Sequence, residues 1–400
     1  MKRWLWTAGL GLMVLCGCGK FFTSQNGSGG TGTGTGTGTT TGNTASGDVL
    51  YVANVTASTL TGYLVSTAGA LTAVSGSPYS LGEPPTSMAI TPGNTFLYVG
   101  TAVGIVGYSI GTNGVLTELN GGAALVSDVL APTGMQVDTS GNYLLAAGID
   151  LASGTSTPEV GVYGIDTSTG LLTAQPNSPL AVAGGNGAST AVPEELYIAP
   201  NDEYVYLTLG TGGTEILSFT ENGGGLGDTN THIDLSKNGL SQTNVLANSS
   251  STVLYVSETG AGIRGFSIGS GGALTELSGS PFTAGTGPNG MVLNSGGTAL
   301  YVADKGANQI SGFSVAAAGT VGALSALGSS PYAAGTEPLW LSLDQSGSFL
   351  AVANSLGSPD LGVYSFDTKT AGQLDSVSSK MNTPATGAFL VVSTHTVSGS

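Results

Sequence analysis

The sequence predicts an all-β fold: a seven-bladed β-propeller with four-stranded blades, closed by a C-terminal strand that pairs into the first blade. Three observations carry this. A strand of the type LYVAN starts at Leu50, Leu97, Leu144, Val205, Leu254, Leu300 and Leu350, with spacings of 47, 47, 61, 49, 46 and 50 residues. The strand after it carries an aromatic at Tyr63, Tyr108, Tyr163, Phe219, Phe266, Phe313 and Tyr364. The next carries a leucine in a G-x-L-like turn at Leu71, Leu116, Leu172, Leu226, Leu274, Leu324 and Leu374. Units of about 40–50 residues with four short strands are the signature of propeller blades. Composition agrees: 67 glycines and only 8% charged residues suit short strands joined by tight turns.

In chain order, residues 1–17 read as a leader. Lys2 and Arg3 precede an apolar run, Trp4 to Leu15, of signal-peptide length and too short for an ordinary membrane span. Leu15-Cys16-Gly17-Cys18 resembles a bacterial lipobox, which implies cleavage before Cys18 and a lipid on that cysteine. Gly19 after it implies sorting to the outer membrane. The rival is an ordinary secretory signal. Both cysteines of the chain lie here, so the fold has neither disulfide nor thiol chemistry. Residues 18–47 are Gly/Thr/Ser-rich with almost nothing to bury and read as a flexible tether.

Residues 48–393 are the propeller and 394–400 a tail. Tyr, Val, Ile, Leu and Phe fill the strands, and Gly, Asn, Asp and Ser punctuate them. Six innermost strands are read at "TSMAIT", "TGMQVD", "ELYIAP", "TNVLAN", "GMVLN" and "LWLSLD". The first unit has none ahead of Leu50, whereas "TGAFLVVS" at the far end has no unit after it. Placing that strand inside the first blade leaves no open edge at the seam.

Lys2 and Arg3 fall in the leader, which leaves six basic residues against 24 acidic ones, a balance of −18. Such a surface repels phosphate backbones, so nucleic acid is excluded as a partner. The G-x-S-x-G patterns from Gly107 and Gly265 lie on the same strand of two repeats rather than at a strand-to-helix elbow. "GTGPNG" from Gly285 is an inter-blade loop, not a dinucleotide fingerprint. His232 and His395 have no evident relay partner, and no zinc motif or complete EF-hand loop occurs.

The LYVAN strands, the aromatic strand and turns of the type "GALTELSGSPF" resemble bacterial lactonase-family seven-bladed propellers and the related YVTN repeats, over residues 48–393. The resemblance implies hydrolysis of 6-phosphogluconolactone or action on muconate lactones, as in the best-known members, or a place among the many relatives with no assigned activity. A phosphosugar needs a basic cluster. The fold offers only Lys237, Arg264, Lys305, Lys369 and Lys380, dispersed along the chain.

Candidate site residues are therefore sought at one end of the channel, where inner strands begin and second strands end. The slot two residues after proline holds Ser87, Gly134, Glu195, Gly290 and Trp340, with Gly387 near it in the closing strand. The second strands end near Asn54, Glu258, Asp304 and Asn354. A ligand-binding rim of Asn54, Glu195, Glu258, Asp304, Trp340 and Asn354 is expected, with Glu195 or Asp304 as general base if the protein is an enzyme. The plainer alternative packs Trp340 between blades and leaves the acids solvated. No cofactor is required, although such a rim could hold Ca²⁺. The expected protein is a monomeric envelope lipoprotein, membrane-attached through Cys18, binding a glycan, another small neutral ligand or a protein. The alternative is a lactone hydrolase.

Overall fold

The computed structural model describes residues 45–126, 130–150, 157–184, 191–237, 239–357, 359–381 and 390–395. Cys18, Gly387 and nearly all of the leader and tether lie outside them. The described residues form seven antiparallel sheets, the blades of a propeller. Blade 2 shows the plan: an inner strand Pro85–Ile90, a second Phe96–Thr101, a third Gly104–Ile110 and a short outer strand Leu116–Glu118. The inner strands of blades 3 to 7 are Leu130–Val137, Glu195–Ile198, Ser241–Ala247, Pro288–Leu293 and Pro338–Leu343. Neighbouring inner strands pack on one another around the ring.

Blade 1 takes its inner strand from the other end of the chain. Leu390–His395 pairs antiparallel with Ala45–Asn54, from Ala53 opposite Leu390 to Asp48 opposite His395. The closing strand thus reaches His395, two residues further than the sequence suggested, because the ladder continues with Thr394 opposite Val49 and His395 opposite Asp48. Leu390, Val391 and Val392 are fully buried. Each such side chain contributes about 1.5–3 kcal/mol on burial, so the seam is a hydrophobic contact as well as a ladder.

The second strands are buried on both faces, which explains their near-continuous apolar reading. Turns between inner and second strands are capped by a side chain at their first position. Thr91, Asp138, Asn248, Asn294 and Asp344 accept the backbone N–H of Phe96, Tyr143, Val253, Ala299 and Phe349, at 2.7–3.0 Å. This is why the repeat carries Thr, Asp or Asn there.

Blades are joined by a contact that recurs seven times. Gly69, Gly114, Gly170, Gly224, Gly272, Gly322 and Gly372, two residues before the outer-strand leucines, all have positive φ. Each lies against the second strand of the preceding blade: Phe349, Val49, Phe96, Tyr143, Tyr204, Val253 and Ala299 respectively. A Cβ on any of them would approach that side chain to 2.6–3.0 Å, so both backbone conformation and space demand glycine. In four blades the LYVAN-type tyrosine latches the same turn. Tyr51, Tyr98, Tyr255 and Tyr301 donate to the carbonyls of Gly114, Gly170, Gly322 and Gly372 at 2.5–2.9 Å. Leu145 and Ala351 stand at this position in blades 3 and 7, and the buried Tyr206 hydroxyl of blade 4 has no hydrogen-bond partner.

Two outcomes are expected. Tyr255→Phe should lower unfolding free energy by about 1 kcal/mol, the net worth of a hydrogen bond, whereas Tyr206→Phe should leave it unchanged or raise it; urea titration of both distinguishes them. Deleting all residues after Met381 should lower the melting temperature sharply, and an unchanged value would show that the seam does not carry the ring.

Candidate functional site

The register places both predicted slots at one end of the channel. Pro85 lies opposite Thr101, Glu195 opposite Thr208, Gln242 opposite Glu258, Pro288 opposite Asp304 and Pro338 opposite Asn354. At this mouth a bulge interrupts five of the inner ladders and re-aims a side chain. Where the residue just ahead of the slot is threonine, it stitches blades together. Thr86 donates to the carbonyl of Pro132, Thr133 to that of Pro193 at 2.8 Å, and Thr243 to that of Pro288 at 3.0 Å. In blades 4, 6 and 7 the same position holds Glu194, Asn289 and Leu339, and the stitch is missing.

All six rim residues lie at this mouth, none more than 2% exposed. Asn54 and Asn354 serve local turns: Asn54 accepts the Ala57 N–H at 2.9 Å, while Asn354 accepts that of Gly335 at 3.1 Å and donates to the carbonyl of Pro359 at 2.8 Å. Glu258 accepts the backbone N–H of Ser236 at 3.0 Å, the Ser236 hydroxyl and the Gln242 amide at 2.9 Å. Trp340 sits in the core beside the backbone of Gly290, and its indole Nε1 has no partner.

The other two acids are incompletely satisfied. Asp304 Oδ2 accepts Ser311 at 2.6 Å and Gln309 at 3.1 Å, but its Oδ1 accepts nothing. Burial raises its carboxyl above the ordinary range, against those hydrogen bonds and one from the Gly285 backbone. Neither oxygen of Glu195 has a partner. Two residues on, Tyr197 donates to Ala247 of blade 5, so Glu195 faces that same gap. Burial, and then neighbouring Glu194, push its carboxyl well up.

The structure adds residues that the slot rule missed. Glu194 is pushed up to about 8 by burial, opposed by the charge of Lys305. Lys305 follows Asp304, and its Nζ lies 3.6 Å from Glu337 Oε2 at the exposed lip. Glu337 has φ +52, left-handed, where the equivalent pre-proline residue of blade 6 is Gly287 with φ +66. Asn289 leaves a buried Oδ1 unpartnered, and Asn244 fills the blade 5 slot, where no proline marks it. Reading one column earlier in the repeats would have found Glu194 and Asn289.

Arg264, the one arginine of the fold, is consumed internally. Its Nε and Nη2 fork the Glu276 carboxylate at 2.9 and 2.8 Å and hold it below the usual carboxylate range. Its Nη1 donates to the carbonyl of Asp234 at 2.6 Å and lies 3.6 Å from Glu258. His232 is on the outer strand of blade 4, 3.2 Å from Asp234, away from the inner strands. Among the described residues no group of three His, Cys, Asp or Glu side chains is arranged to hold a metal ion.

The family description "Lactonase, 7-bladed beta-propeller" matches residues 81–391. No curated protein matches the chain. Among solved structures, a Lactobacillus plantarum protein is similar at 19% identity and TM-score 0.69, over 87% of this chain and 99% of its own. The periplasmic gluconolactonase of Pseudomonas aeruginosa is similar at 17% identity and TM-score 0.68, over 86% and 98%. A Bacteroides uniformis protein assigned as a candidate 6-phosphogluconolactonase is similar at 15% identity and TM-score 0.69, over 87% and 99%. At these identities the structures share the fold. The family match extends over more than half of the chain, from the end of blade 1 to the closing strand, and the chain belongs to the lactonase family of seven-bladed β-propellers.

Proposed function

We propose that this propeller is an envelope lipoprotein, held on the membrane through Cys18, that binds a small unphosphorylated polar ligand, a neutral sugar or glycan, at the channel mouth. One observation carries the binding site. Among the described residues, seven buried side-chain polar atoms have no hydrogen-bond partner, and five of them belong to Glu195, Asn289, Asp304 and Trp340 at this mouth. Buried polar groups are ordinarily satisfied, so this layer is built for hydrogen bonds that the protein does not supply. Lys305 and Glu337 are exposed at this mouth, whereas Glu194 and Glu195 are buried. The Glu194 carboxyl, pushed up to about 8, is protonated near neutral pH and can donate to a hydroxyl oxygen. Arg264 is unavailable to a phosphate.

A second reading, hydrolysis of an unphosphorylated lactone, rests on the carboxyls of Glu194, Glu195 and Asp304. A carboxyl raised toward neutrality suits general acid–base work. The gluconolactonase named above shares the fold and supports that reading only at the level of fold.

Three measurements test these readings. Titration calorimetry against neutral sugars should show binding weakened about tenfold or more by Asp304→Asn, the equivalent of losing one good hydrogen bond to a buried group. A lactone panel should give no turnover on 6-phosphogluconolactone; turnover there would overturn the binding reading, and turnover confined to unphosphorylated lactones and lost in Glu195→Gln would establish the second. Cys18→Ser should abolish fatty-acid labelling and move the protein out of the membrane fraction.

A further inference from the structure

The two strands of the seam, at Asp48 and Ser393, meet the last blade at one short turn, residues 344–348, between the inner and second strands of blade 7. Three neighbouring residues of that turn grip both strands. Ser346 donates its backbone N–H to Asp48 Oδ2 at 3.3 Å, at the start of the first blade's second strand. Gln345 donates its amide to the carbonyl and hydroxyl oxygens of Ser393, both at 3.3 Å, in the closing strand. Asp344 accepts the Phe349 N–H at 2.7 Å and the Ser346 hydroxyl, and its carboxyl is hydrogen-bonded to that of Asp48. Asp48 and Asp344 are 1% and 4% exposed.

Two carboxyls in hydrogen-bonding contact need a proton between them, since two anions at that distance repel. We propose that this turn is a proton-operated buckle: Asp48 and Asp344 share a proton across the seam, and its loss loosens the closing strand and the first blade from the seventh. Facing the pair, the turn itself contributes Gln345 and Ser346, both uncharged. The closing strand contributes Ser393, and His395 stands opposite Asp48 in the register. Among the described residues, no lysine or arginine forms an ion pair with Asp344.

Burial is the largest cause that lifts Asp344, from the ordinary 3.8 to about 6, and Asp48 adds to it against the hydrogen bonds of Ser346 and Phe349. The folded chain therefore holds this proton more tightly than the unfolded chain does. The stabilisation is complete below about pH 4 and is lost as pH rises through 6. Other buried acids titrate in the same direction, so the wild-type slope alone does not isolate the buckle. A variant does. In Asp344→Asn the carbonyl still accepts Phe349 N–H, and the amide replaces the shared proton as donor to Asp48.

Melting temperature and amide exchange are measured at pH 5 and pH 8 on the full chain, for wild type and Asp344→Asn. The variant should reduce the pH 5 to 8 fall in melting temperature by at least about 3 °C and be the more stable protein at pH 8. Corrected exchange in peptides covering 45–54 and 390–395 should accelerate at pH 8 in wild type and not in the variant. Equal destabilisation by Asp344→Asn at both pH values, or seam exchange indifferent to pH, would overturn the proposal. If Asp344→Asn does not fold, Asp48→Asn reverses donor and acceptor across the same pair and must show the same narrowing.

Discussion

The structure rests on the docking of each outer-strand glycine turn against the second strand of the preceding blade. A propeller has no layer beneath it. Its blades are held by their neighbours, and the angle between successive blades must be repeated faithfully for the ring to close. A glycine at positive φ fixes that angle, because it alone lets the turn approach within contact of Val49, Phe96, Tyr143, Tyr204, Phe349, Val253 or Ala299. The tyrosine hydroxyl adds a directional bond in four of the seven blades. Its absence elsewhere shows that steric contact sets the geometry and the hydrogen bond reinforces it.

The same constraint shapes the mouth. Inner strands crowd around the axis, so their first residues are small or directed into the gaps between blades. Threonine fills three of those gaps with a bond to the next blade. Where Glu194, Asn289 and Leu339 replace it, the ring needs other support. At the junction of blades 4 and 5 that support is a polar network: Thr214 donates to Gln242 at 2.6 Å, Gln242 to Glu258, and Arg264 bridges Glu276 to the carbonyl of Asp234. Removing the arginine would take the fork from Glu276 and the donor from the Asp234 carbonyl, while Glu258 keeps Ser236 and Gln242. The arginine thus belongs to the scaffold that permits an unstitched, acid-lined gap beside it.

Blade count, strand order and closure were legible in the sequence because each rests on a pattern repeated seven times. The LYVAN strand, the aromatic column and the G-x-L turn are local signals, and "TGAFLVVS" could be assigned once the count was known. Site residues were legible only as positions. The proline offset located Glu195 and Trp340 but passed over Asn244, whose blade lacks the proline. It also passed over Glu194 and Asn289, each one residue ahead of the slot, Asn289 within a bulge. Bulges and partnerships across blades depend on spacing between chains far apart in sequence, and a single sequence carries no signal for them. Trp340 shows the same limit: its indole is buried beside Gly290 of the preceding blade, the packing that the sequence offered as the plainer alternative to an aromatic rim.

The two ends of the ring make opposite use of one physical cost. Burial raises the carboxyls of Asp138, Asp202 and Asp344 at the turns between inner and second strands, and those of Glu194, Glu195 and Asp304 at the mouth. At the turn end, oxygens of each acid are engaged: Asp138 by Ser140 and Tyr143, Asp202 by Thr139, Asp344 by Ser346 and Phe349. There desolvation is offset by hydrogen bonds that fix a turn or join two blades. At the mouth, three oxygens of Glu195 and Asp304 have no such bond. A structural role alone would favour replacing such groups with apolar residues of similar size, which removes the desolvation cost at once. Among the described residues, unmet hydrogen-bonding capacity on buried acids is thus concentrated at the mouth, and that contrast with the turns is what the proposed recognition there rests on.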